Sequence, residues 1–175
     1  MHTLLHVCCA PCSIACIDML REQGHAPTAY WFNPNIHPYT EYRARRDAVA
    51  AYMPTVNVPL VQAGGYDLRG FLQALPSYDD RCQTCYTLRL YSTAQYAAAQ
   101  GFDSFTSTLL VSPYQNHAQL CAVAEKAAAK YGVPFLYCDF RERFREGQAR
   151  ARELGLYRQK YCGCMFSEEE RYCNK

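Results

Sequence analysis

Leu4-Leu5-His6-Val7-Cys8-Cys9-Ala10-Pro11-Cys12-Ser13 is the stretch on which the fold turns. A short apolar run reads as a buried strand. The break at Cys9-Ala10-Pro11 reads as a tight turn into a helix, because proline suits a first helical turn. In open α/β sheets the ligand site lies beyond the carboxyl end of such a strand, and nucleotide-binding proteins carry a glycine-rich phosphate loop there. This chain carries thiols instead, which points to metal or redox chemistry.

Working outward, strand and helix patterns alternate, the rhythm of a parallel sheet with helices on both faces. The pattern predicts strands at Leu4–Cys8, Ala26–Phe32, Thr55–Val61, Ser104–Thr108 and Phe135–Cys138. It predicts helices at about Pro11–Gln23, Glu41–Tyr52, Asp67–Leu75, Arg81–Gln100, Asn116–Tyr131 and Arg145–Leu154. Gly24, Gly101 and Gly132 each stop a helix just ahead of a strand. Asn33-Pro34-Asn35-Ile36-His37-Pro38 must be a loop, since its prolines and asparagines break both periodicities. The expectation is one doubly wound α/β domain over residues 1–175, with no internal boundary or repeat.

Composition narrows the class. With 175 residues, 15 tyrosines and 8 phenylalanines the chain can build a proper core. No apolar run approaches the ~20 residues of a membrane helix, and the N-terminus lacks the pattern of a secretion signal. A cytoplasmic protein without membrane contact is expected. The formal net charge of +2 does not by itself argue for nucleic acid. Half of the 18 lysines and arginines follow residue 138, however, and Arg43, Arg45 and Arg46 form a second group. A solvated, salt-bridged helix face is the competing reading of these charges.

Eleven cysteines in a reducing compartment suggest metal ligands or redox thiols. Cys8 and Cys9 end the first strand, and Cys82 and Cys85 have the two-residue spacing that lets a helix start offer two thiolates. Together they number four, the count for a [4Fe-4S] cluster or a structural zinc. Adjacent cysteines diverge, which favours a cluster over one tetrahedral ion. Cys12 follows Cys9 by three residues and is a candidate ligand for an extra iron. Cys16, Cys121 and Cys138 read as small buried hydrophobes, and Cys173 as exposed. Cys162-Gly163-Cys164 would close a very small, strained disulfide ring, and strained pairs are easily reduced. Such a pair suits passing electrons; two ligands for another metal is the alternative.

At this point the residues resemble a known family, the cobalamin-independent epoxyqueuosine reductases. The resemblance rests on Leu5–Cys12, Asn33–Pro38, Arg81–Cys85, Leu110–Gln115 and Gly155–Cys164, in the family's order along nearly the whole chain. It implies a fold related to the PP-loop (HUP, Rossmann-like) enzymes. It implies reduction of epoxyqueuosine to queuosine at the wobble position of tRNA, the partner being a tRNA with a queuosine-type anticodon and an electron donor. It implies a [4Fe-4S] cluster on Cys8, Cys9, Cys82 and Cys85, and a redox-active pair at Cys162 and Cys164. No ATP use is expected, since the phosphate-loop position carries Cys8-Cys9-Ala10-Pro11.

Deoxygenating an epoxide takes two electrons and two protons, so a proton donor is needed. Tyr114 and His37, each in a loop after a strand, are the candidates. Tyr39, Tyr42, Arg43, Arg45 and Arg46 combine aromatic faces with positive charge, as in readers of single-stranded RNA. Arg141, Arg143 and Arg145 can add phosphate contacts. Three other functions compete: a tRNA sulfurtransferase on the same scaffold, which would want a glycine phosphate loop; a zinc-stabilised RNA-binding module, which would leave the Cys-Gly-Cys pair idle; and a simple thiol–disulfide oxidoreductase, which explains that pair but not the four upstream thiols.

Overall fold

A computed structural model of the chain describes residues 1–173. Four parallel strands, β1 (His2–His6), β2 (Ala26–Trp31), β3 (Leu60–Gln62) and β4 (Ser104–Ser107), form one sheet in the order β3-β2-β1-β4. The helices are α1 (Ala10–Glu22), α2 (Tyr39–Thr55), α3 (Leu68–Gln73), α4 (Arg81–Ala99), α5 (His117–Tyr131), α6 (Phe144–Glu153) and α7 (Met165–Tyr172). α1 packs with α2 and α6, and α4 with α5. This is the expected doubly wound α/β class.

The strand order sets the position of any site. The chain winds from β1 outward through β2 to β3, then returns to place β4 on the other side of β1. The winding direction therefore reverses between β1 and β4, and the loops leaving these two strands part to leave a crevice. Cys8 and Cys9 follow β1, and Thr108–Val111 follows β4 as a 3-10 turn.

β1 and β4 are polar as well as buried. Thr3 Oγ1 lies 2.8 Å from His25 Nδ1 and 2.9 Å from Ser104 Oγ. His6 Nε2 lies 3.1 Å from the Phe32 carbonyl, which can only accept, so Nε2 carries the proton. Nδ1 then accepts from the Ser107 hydroxyl at 3.0 Å. Burial holds this imidazole neutral, pulling its pKa down to about 4. These pairs stitch β1 to β4 below the crevice.

Two local expectations need correction. The fifth strand at Phe135–Cys138 is a single bridge, Phe135 against Phe105, because the chain leaves the sheet edge after two backbone hydrogen bonds. Thr55 belongs to α2, which runs three residues beyond Tyr52, and β3 is only Leu60–Gln62. Beyond the last helix the pattern predicts, Arg145–Leu154, the chain forms a further helix, α7, none of whose residues is buried.

Candidate active site

The site grows from the turn after β1. Cys9 caps α1: its sulfur accepts from the Cys12 backbone N–H at 3.3 Å. One helical turn therefore brings Cys12 back over Cys9, and Cys8 Sγ lies 3.9 Å from Cys9 Sγ. The sulfurs of Cys8, Cys9 and Cys12 all lie within 4.8 Å of one another, and all three residues are buried. Adjacency was expected to make the two thiols diverge. They do not: 3.9 Å is near the ~3.8 Å sulfur–sulfur edge of a tetrahedral thiolate site. Cys12 thus joins the triad.

Hydrogen bonds tune this triad. The Thr108 hydroxyl, from the turn after β4, lies 3.3 Å from Cys8 Sγ and accepts the Cys8 backbone N–H at 3.1 Å. Hydrogen bonds from the Cys12 and Cys9 thiols hold the Cys8 thiol well below its ordinary range. Burial raises Cys9, and the bond to Cys8 raises Cys12. The Gln159 side-chain amide donates to Cys9 Sγ at 3.1 Å and reaches Cys12 Sγ at 3.5 Å.

Cys82 and Cys85 occupy the first turn of α4, outside the triad. Their link to it is Arg89, one turn further on and 2% exposed. Its Nη2 donates to Cys85 Sγ at 2.7 Å and its Nε to the Cys85 carbonyl at 3.1 Å. Its charge acts on Cys85, Cys162 and Cys8, and among the described residues it forms no ion pair with a carboxylate. A buried guanidinium without a carboxylate calls for another anion. Thiolates binding a metal, or an iron–sulfur group with net negative charge, satisfy it. The all-thiol donor set around an uncompensated cation therefore fits such a group.

A cavity of about 310 Å³ opens over the triad, with Cys8, Cys12, Thr108, Tyr114, Gln115 and Cys162 in its wall. Cys162 and Tyr114 are exposed to it, Tyr114 at 85%. Cys164 turns away, half-buried, its sulfur 3.5 Å from Ser167 Oγ. The Cys162-Gly163-Cys164 loop is held from beneath. Arg45 donates to the carbonyls of Cys162 and Tyr161, each at 2.9 Å, and to Glu41 at 2.6 Å. The His37 backbone N–H donates to the Gly163 carbonyl at 2.8 Å. Gly163 has φ +148°, and an added Cβ would sit 3.2 Å from Arg45 Nη1.

Several expected roles change. His37 is 2% exposed, its Nε2 donates to the Pro34 carbonyl, and its ring packs on Tyr66 and Phe71, so it does not face the cavity as a proton donor. Tyr42 and Arg45 are 3% and 1% exposed and cannot meet RNA at a surface; Arg45 is consumed by the Cys-Gly-Cys loop. Tyr39 and Arg43 are exposed, while Arg46 pairs with Asp47. Arg141 and Arg143 are engaged by Asp139 and Glu22, leaving Arg145 exposed. Sequence reasoning missed Arg89, Gln159, Gln115 and Thr108. Arg89 had a signal, a charge one helical turn from Cys85 on an otherwise apolar face.

Fold and site together define a parallel α/β protein with buried thiols at the switch point and a second thiol pair brought in from the C-terminal segment. The family model for epoxyqueuosine reductase QueH matches residues 3–170, and the chain belongs to that family, an oxidoreductase family. It is 39% identical over 170 residues to the epoxyqueuosine reductase QueH of Dehalococcoides mccartyi, covering 97% of this chain and 93% of that one. It is 38% identical over 180 residues to that of Thermotoga maritima, covering 96% and 91%. Among solved structures, a predicted subunit of a tRNA methyltransferase from Methanocaldococcus jannaschii superposes with TM-score 0.51 at 10% identity, covering 89% of each chain, a likeness of fold.

Proposed function

We propose that this protein reduces epoxyqueuosine to queuosine in tRNA, with the cavity over Cys8 and Cys12 as its active site. The observation that carries the reading is the convergence of a buried thiol triad and the exposed thiol of Cys162 on one cavity. Cys8, Cys9, Cys82 and Cys85 would hold a [4Fe-4S] cluster, which supplies electrons singly, and Cys12 would serve an additional iron. Cys162 and Cys164 form the reducing pair: their oxidation to a disulfide releases two electrons and two protons. Those convert the epoxide to an alkene and one water, and an external reductant restores the thiols. Tyr114, exposed in the cavity wall, delivers a proton to the departing oxygen. Tyr39, Arg43 and Arg145 offer an aromatic face and positive charge to the anticodon arm. The reading places the protein in the cytoplasm; among the described residues no helix is long and apolar enough to cross a membrane.

The test uses anaerobically purified full-length protein. The expected result is about four acid-labile sulfides and about five irons per chain, the iron in excess of sulfide being the one served by Cys12, with turnover of epoxyqueuosine-containing tRNA under a low-potential chemical reductant, abolished in Cys162→Ser. About one zinc without sulfide would overturn the redox reading and favour the RNA-binding module.

A further inference from the structure

Cys162 and Cys164 are not equivalent, and a chain of hydrogen bonds distinguishes them. Cys162 lies in the cavity wall, whereas Cys164 opens α7 and faces Ser167. The Gln115 side-chain amide donates to Cys162 Sγ at 3.3 Å. Gln115 Oε1 in turn accepts the Tyr86 hydroxyl proton at 2.7 Å. The Tyr86 oxygen itself accepts the Asn116 backbone N–H at 3.3 Å, which leaves its proton free for Gln115. Tyr86 is 2% exposed and rooted in α4, and Asn116 caps α5. The chain has one direction: the backbone N–H at the start of α5 sets the Tyr86 hydroxyl, which sets the Gln115 amide, which presents its N–H to sulfur. A flipped amide would turn an oxygen toward Cys162 and an N–H₂ toward a hydroxyl that already donates.

We infer that Gln115, oriented by Tyr86, is a positioning residue that fixes Cys162 in the cavity wall and makes it, rather than Cys164, the sulfur presented to substrate. The N–H aimed at sulfur holds the Cys162 side chain in one orientation at the cavity wall. This rests on the reading of Cys162 and Cys164 as the reducing pair. Nothing in the sequence marks Gln115 apart from its neighbours; its role comes from α4 and the loop after β4 meeting at this point.

The experiment measures iodoacetamide alkylation of Cys162 and Cys164 separately, by peptide mass spectrometry, on the reduced full-length protein under anaerobic conditions. In the wild type Cys162 reacts faster than Cys164. Q115L lowers the Cys162 rate about fivefold, the factor expected from losing one net hydrogen bond. Q115E lowers it further, because a carboxylate opposes the thiolate, a sign a merely structural role would not produce. Y86F acts in the same direction as Q115L, and the double variant is no worse than Q115L alone. In turnover, kcat falls while KM for the tRNA holds. An unchanged Cys162 rate in Q115L overturns the inference; if Q115L does not fold, an unchanged rate in Y86F does so. Failure of the underlying reading is seen separately, as full turnover in Cys162→Ser and Cys164→Ser.

Discussion

Replacing Arg45 by methionine tests whether the Cys-Gly-Cys loop is anchored from within the fold. Arg45 is 1% exposed and binds Glu41 and the carbonyls of Tyr161 and Cys162. Methionine fills the volume of the stem but removes all three contacts. Glu41, itself 8% exposed, is left with the Tyr157 hydroxyl as its remaining partner. Breaking one side of a buried pair costs about 3–5 kcal/mol. The two carbonyls recover part of their loss from water, since Cys162 is exposed, so the lower half of that range is expected. For a chain of this size, at roughly 2–4 °C per kcal/mol, the melting temperature falls by about 6–16 °C. The assay is thermal denaturation followed by circular dichroism, paired with alkylation of Cys164, which quickens as the loop loosens. Adding Glu41→Gln removes the stranded charge and restores about half of the loss. An R45M protein within about 1 kcal/mol of wild type, with Cys164 alkylation unchanged, would refute the anchoring argument; one net hydrogen bond alone is worth that much.

Four further outcomes are expected. Gly163→Ala, at φ +148° and with its Cβ 3.2 Å from Arg45 Nη1 and 3.3 Å from Ile36 Cγ1, destabilises by about 1–3 kcal/mol in urea titration. Arg43→Ala and Arg145→Ala each lower the slope of log affinity for the anticodon arm against log salt by about 1, whereas Arg141→Ala, whose charge is held by Asp139, changes it less. Tyr114→Phe lowers kcat about 100-fold with KM held, the range of a general acid; normal turnover excludes that role. Cys8→Ser abolishes bound iron and sulfide under anaerobic purification, while Cys121→Ser, on α5 away from the triad, leaves metal content intact.

The alternation of buried strands with capped helices was legible because each signal is local. Leu4, Leu5, Val7 and Cys8 make a largely apolar run through the end of β1, Gly132 takes φ +67° at the end of α5, and Asn116 accepts from the Gln119 N–H at its start. The thiols were legible as chemistry, but not as a constellation. Cys12 and Cys9 meet through the first turn of α1, a short-range contact that the spacing allowed without requiring. Cys85 and Arg89 share a helix face, whereas Cys162 reaches the cavity from 154 positions beyond Cys8. The basic group Arg43, Arg45 and Arg46 shows the same limit: three charges on one helix divide into an exposed one, a buried anchor and a surface ion pair.

By itself, then, the amino-acid order determined the parallel α/β class, the thiol character of the turn after β1 and the family. These depend on hydrophobic period, capping and residue type, all readable within about one or two helical turns. Only the tertiary structure decided which sulfurs gather, that Arg89 supplies the buried positive charge, that His37 turns into an aromatic cluster, and that Arg45 serves the Cys-Gly-Cys loop. Those outcomes depend on which segments the strand order brings to one crevice, and on burial, which leads most polar groups there to pair.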